Sequence, residues 1–95
     1  MQLAQVIGTV VASRKEDVLE GLRFLVLRPV DASMNAAGNV VVAADAVGAG
    51  VGEVVMFASG SSARQTQLTQ NRPVDAVVMA IVDQVTVEDS LKYEK

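Results

Sequence analysis

Five short runs of apolar and β-branched residues limit what this 95-residue chain can become: Leu3 to Ala12, Phe24 to Leu27, Val40 to Ala44, Val54 to Ser59 and Ala76 to Val85. Runs of this length, bounded by Gly, Pro, Asn and Ser, read as β-strands. A parallel α/β sheet would need helices of roughly 10–15 residues between its strands, and the chain has no room for them. A small closed or nearly closed barrel is the architecture that remains. Gly8 within the first run marks a bulge or a bend at a barrel corner. Pro29 ends the second run, because it can donate no ladder hydrogen bond. Asp31 to Asn39 is a connecting loop by its turn residues.

The segments between the runs carry two helix-start signals. Ser13-Arg14-Lys15-Glu16 has the form of a capping box, yet Ser13 to Leu22 reads better as a charged, solvated loop. Ser62-Ala63-Arg64-Gln65 is the second box, and it predicts a short helix from Ala63 to about Leu68, ended by Asn71-Arg72-Pro73. Residues 86–95 form a polar tail to a single domain spanning 1–95. Val87, Leu91 and Tyr93 in that tail are placed to pack on a neighbour or to add an edge strand.

The stretch from Val40 to Arg64 is the most distinctive. Two apolar runs flank Asp45, then Gly48, Gly50 and Gly52 at alternate positions, then Glu53. Such spacing allows positive φ and close approach of another backbone. It is not a nucleotide loop: that fingerprint requires G-x-G-x-x-G opening a helix, whereas here Glu53 stands at the last glycine position and strand follows. Asp45 and Glu53 read as solvated carboxylates of a surface turn rather than an acid/base pair. The chain has no His and no Cys, which excludes histidine-activated nucleophiles and ordinary zinc sites. Ser61 and Ser62 read as helix caps. No catalytic residue, metal site or cofactor site is expected.

Composition narrows the partners. The net charge is −3, and the eight basic residues never form a run longer than two. Nucleic acid is therefore not an expected partner, since phosphate binding needs clustered positive charge. Aromatic residues make up only 3%, too few for base-stacking platforms. No leader peptide and no membrane-spanning run is evident, so a cytosolic protein without a membrane partner is expected. The runs Phe24–Leu27, Val54–Phe57 and Ala76–Val82 are apolar without alternation, so both strand faces want cover. In a chain this short, subunit contact is the simplest cover.

The residues Asp45 to Glu53 (DAVGAGVGE) followed by Gly60 to Arg64 (GSSAR) resemble the signature of the EutN/CcmL family, the pentameric vertex proteins of bacterial microcompartment shells. Met1 to Ala12 resembles that family's opening strand, and Val74 to Asp83 a later one. The resemblance covers nearly the whole chain. It implies an all-β, OB-like five-stranded barrel with one short helix between strands four and five. It also implies a homopentamer that caps shell vertices, with hexameric and trimeric shell proteins as partners, in the cytoplasm. Asp45, Gly48, Gly50, Gly52, Glu53, Ser61, Ser62 and Arg64 are the candidate residues of the subunit interface or pore, with Glu53 and Arg64 candidate partners across a subunit contact. The alternative reading is a small OB-like module binding nucleic acid or a protein partner.

Overall fold

A computed structural model describes residues 1–95. Five strands close into a ring: β1 (Gln2–Val10), β2 (Phe24–Val30), β3 (Val41–Asp45), β4 (Val54–Ser59) and β5 (Ala76–Ile81), in spatial order β1-β2-β3-β5-β4. All neighbours are antiparallel except β3 and β5, which run parallel through Ala44↔Val77 and Asp45↔Val78. A register shift between Val6 and Gly8 puts the expected bulge in β1. A second, two-stranded sheet follows, β6 (Gln84–Val87) with β7 (Ser90–Glu94).

Alternation explains the core. On β1, Ala4 and Val6 point inward; on β2, Leu25 and Leu27 do; on β4, Val55 and Phe57 do. Phe57 is the largest side chain there, at 2% exposure. The rest is Val, Leu and Ala, as the scarcity of aromatics requires.

Several sequence expectations need correction. β2 does not stop before Pro29 but runs on to Val30, with Pro29 opposite Ala4. The β2–β3 ladder ends at Leu27↔Val41. Pro29 therefore lies where β2 has only one strand neighbour, a place that tolerates a missing donor. β5 ends at Ile81 rather than Val85, and residues 86–95, expected as a polar tail, form most of a hairpin. Its turn, Glu88-Asp89, has both residues at positive φ. That geometry usually takes Asn-Gly or Asp-Gly, so no turn signal was legible.

The expected helix after β4 is displaced. A 3-10 turn spans Gly60–Arg64, so Ser62 lies inside it; the N-cap is Ser59, which makes no side-chain cap hydrogen bond. The Ala63 carbonyl, which an α-helix would offer to the N–H of Gln67, instead accepts the Thr69 hydroxyl at 2.6 Å. A second 3-10 turn, Asp17–Leu19, lies within the charged loop. No helix is long and apolar enough to cross a membrane.

These two turns also revise the argument about uncovered strands. Leu22 from the first loop, with Ala63 and Val74 from the second, packs on Ala44, Ala58 and Val77, and Leu19 and Phe24 lie against the same cluster. The chain thus covers part of its own outer barrel wall. What stays exposed is a smaller set: Met1, Val10, Val11, Val18, Val40, Val42, Val47, Val51, Leu68 and Leu91.

Candidate functional site: a self-contained glycine loop on the barrel rim

β3 and β4 flank the glycine loop but do not pair with each other; each pairs with β5 instead. The loop is therefore not a hairpin turn. It crosses the end of the barrel, and Ala49 at its middle is fully buried in the main core. The far side of the loop joins the β1 edge. The N–H of Gly52 donates to the Val6 carbonyl at 2.8 Å, and the N–H of Val6 donates to the Glu53 carbonyl at 2.9 Å.

Asp45 organises the near side. Contrary to a solvated carboxylate, it is buried at 6% exposure. Its Oδ1 accepts the backbone N–H groups of Val47, Gly48 and Ala49 at 3.1, 3.1 and 3.3 Å. Its Oδ2 accepts Arg23 Nη1 at 2.8 Å, and the same nitrogen donates to the Ala49 carbonyl at 2.9 Å. A short aspartate side chain that accepts from N–H groups just ahead of it is the Asx-turn device. Here it is closed by a cation from β2's entry.

Glu53 organises the far side. Its Oε1 accepts the Gly50 N–H and its Oε2 accepts Lys95 Nζ, each at 2.6 Å. The Lys95 ammonium hydrogen-bonded to it, and then the Gly50 N–H, hold the Glu53 carboxyl below its ordinary value. The same contact holds the Lys95 ammonium above its ordinary value. Within its own chain, Glu53 thus finds its cation in Lys95.

The three glycines differ in role. Gly48 and Gly52 have φ of 78° and 94°, whereas Gly50 is not left-handed. A Cβ on Gly50 would meet Glu53 Oε1 at 3.5 Å, an ordinary contact. With its polar groups turned inward, the loop shows the outside Val47 and Val51, at 39% and 63% exposure.

Ser61, Ser62 and Arg64 lie at the opposite end of β4 and are not brought together with Asp45 or Glu53. Six strand residues, or about 20 Å along the strand, separate them from Glu53, and none of the three hydrogen-bonds to Asp45, whose partners are Arg23 and the loop backbone. Arg64 sits in the last turn of its 3-10 segment, a place that favours a cation rather than opposing one. It donates to the Val74 carbonyl at 3.3 Å. Ser61 and Arg64 border an open polar cleft of about 490 Å³ shared with Gln65, Gln67, Gln70 and Asn71.

Sequence reasoning missed Arg23, Thr69 and Lys95. None lies in a motif, and each acts on a partner brought near by the fold. For base stacking the fold offers little: Phe57 is in the core, Phe24 packs under the loop cluster, and Tyr93 stands on the hairpin.

A small closed barrel, with loops satisfied from within and valines turned outward, offers a neighbour an apolar surface. The comparisons agree. The family model described as ethanolamine utilisation protein EutN/carboxysome matches residues 1–83, and the chain belongs to that family. It is 48% identical over its whole length to a carboxysome shell vertex protein CcmL of Synechococcus elongatus, covering 96% of that relative. The structure of Gloeobacter violaceus CcmL superposes with a TM-score of 0.94 at 46% identity, over 100% of this chain and 98% of that one. The pentameric microcompartment shell protein GrpN of Rhodospirillum rubrum superposes with a TM-score of 0.83 at 41% identity, over 92% of this chain and 99% of that one.

Proposed function

We propose that this chain is a structural subunit of a bacterial microcompartment shell, within the cytoplasm, and that it forms a homopentamer capping the shell's vertices. The observation that carries the reading is full-length likeness, in sequence and in fold, to vertex proteins that include a pentameric one. The role is geometric. A heterologous contact repeated by rotation closes a ring, and a fivefold ring set among flat sixfold tiles supplies the curvature that a closed polyhedron needs. Hexameric and trimeric shell proteins are the partners of its outer rim.

The loop geometry fits this role. A barrel rim braced by Asp45, Arg23, Glu53 and Lys95 keeps its shape without a neighbour, so the subunit meets its partners preorganised. Ordering a loop during association would otherwise weaken the contact. Ser61 and Arg64, exposed at a polar cleft, with Ser62 exposed between them, form the second surface available to a neighbour or to the ring's opening.

Native mass spectrometry of the purified chain tests the first half of the proposal: a pentamer at micromolar concentration is expected, and a monomer alone would overturn it. Co-expression with hexameric shell proteins tests the second. Closed polyhedra in electron micrographs are expected with the chain present, and open or elongated shells without it.

A further inference from the structure

The cleft beside Ser61 and Arg64 has a chemistry that the assembly reading leaves unused. It measures about 490 Å³ and is lined by no apolar residue and no carboxylate, with Arg64 as its one cation. Four of the chain's nine Asn and Gln residues, Gln65, Gln67, Gln70 and Asn71, stand together along its wall. A volume of this order holds a small molecule. A wall without apolar surface offers such a guest no hydrophobic gain, so the guest must be held by charge and hydrogen bonds.

The donors around the cleft are free. Side-chain hydrogen bonds there are made by Arg64, Thr66 and Thr69, whereas the Ser61 hydroxyl and the four amide side chains have no partner in the chain. Arg64 spends one nitrogen on the Val74 carbonyl at a long 3.3 Å, which leaves most of its fork of N–H donors open. The consecutive backbone N–H groups of Thr66, Gln67 and Leu68 find no acceptor in the chain either.

The frame that carries these donors is braced. Thr69 is fully buried, and its hydroxyl proton goes to the Ala63 carbonyl, which can only accept. In the 2.6 Å contact between the Thr66 and Thr69 hydroxyls, Thr66 is therefore the donor. Thr66 Oγ1 in turn accepts the Thr69 N–H at 3.0 Å. Beyond the turn, the Arg72 N–H donates to the Thr69 carbonyl at 3.0 Å, and the Arg72 guanidinium donates to the Glu20 carbonyl in the loop before β2. Free donors on a braced loop can take a ligand with little further ordering, which is what keeps binding from being lost to entropy.

We propose that this cleft is a binding site for a small oxyanion, a carboxylate or a phosphate-type group. The planar fork of Arg64 meets two of its oxygens, and the neighbouring amide side chains and N–H groups complete its shell. Two oxygens of one group match the spacing of a guanidinium, which a spherical chloride does not. The inference concerns the single subunit and does not rest on the vertex reading.

NMR of the isotope-labelled full chain tests the site. Sodium sulfate, inorganic phosphate and sodium acetate are added in turn, with sodium chloride keeping the ionic strength constant. The amides of Thr66, Gln67 and Leu68 and the Arg64 Nε–H should shift and saturate. Saturation by sulfate and phosphate alone assigns a tetrahedral anion, and saturation by acetate alone assigns a carboxylate. Arg64→Gln should weaken the apparent affinity about tenfold or more, as the loss of a charge-assisted bidentate contact requires. Arg64→Lys keeps the charge without the fork and should bind several-fold more weakly than wild type. Arg28→Gln, at an exposed arginine on β2, should leave binding unchanged. Shifts that grow without saturating, that chloride reproduces, or that both Arg64 variants retain at wild-type affinity would overturn the site. Each of those results would leave the vertex reading standing, since that reading is decided by ring formation.

Discussion

Lys95 meets Glu53 at 2.6 Å across 42 residues of chain, and this contact moors the hairpin to the glycine loop. It ties the C-terminal hairpin to the rim that it leaves. Both groups are solvent-accessible, so the contact is screened by salt and acts on hairpin position more than on barrel stability.

The pH dependence follows from the two shifts. Glu53 has a folded value below its ordinary 4.5, so its contribution is present above pH 4.5 and is lost as pH falls through the lowered value. Lys95 has a folded value above its ordinary 10.5, so its contribution is present below pH 10.5 and is lost as pH rises through the raised value. The mooring is thus fully formed between those limits. NMR should show the Gly50 amide, which donates to the same carboxylate, titrating below pH 4.5. Hairpin amides should exchange faster in Glu53→Gln at pH 7. An unshifted Glu53 titration would contradict the contact.

Asp45 is the costly residue of the loop. Asp45→Ala strands three backbone donors and the Arg23 guanidinium together, and breaking a buried pair of this kind costs about 3–5 kcal/mol. Arg23's side chain is 52% exposed, so water recovers part of its loss and the low end of that range is expected. Asp45→Asn keeps one carbonyl acceptor and should lose less. Urea unfolding of the barrel measures both, and a loss below about 1 kcal/mol for the alanine variant would show that the network is dispensable.

The alternating glycines should not behave alike. Gly48→Ala and Gly52→Ala force a side chain into left-handed backbone and should each cost about 1–3 kcal/mol. Gly50→Ala meets only the end of the Glu53 side chain and should cost well under about 1 kcal/mol. Thermal melts of the three variants decide the matter. Equal losses at all three positions would mean that something other than backbone conformation constrains the loop.

Arg64 separates fold from assembly. Its one hydrogen bond within the chain is long and partly exposed, so Arg64→Ala should change barrel stability by less than about 1 kcal/mol. If Arg64 serves the vertex, the same variant should fail to cap shells co-assembled with hexameric proteins, giving open or elongated particles in electron micrographs. Polyhedra as closed as wild type would make Arg64 an ordinary surface residue.

What the sequence determined by itself is local or periodic. The five barrel strands were legible because β-branched runs bounded by turn residues need no distant information. The bulge at Gly8 was legible for the same reason. The family was legible because DAVGAGVGE and GSSAR occur in order along one chain. Tertiary structure decided everything that depends on which segments become neighbours. Asp45 looks like a surface carboxylate until the β2–β3 register brings Arg23 beside it. The glycine stretch looks like a hairpin turn until β5 takes the place between β3 and β4. The second capping box looks like an α-helix until Thr69 takes the carbonyl that would continue it. Local propensity is worth a few tenths of a kcal/mol per residue, whereas burying a polar group without a partner costs more. Wherever the two disagreed in this chain, the pairing of buried polar groups prevailed.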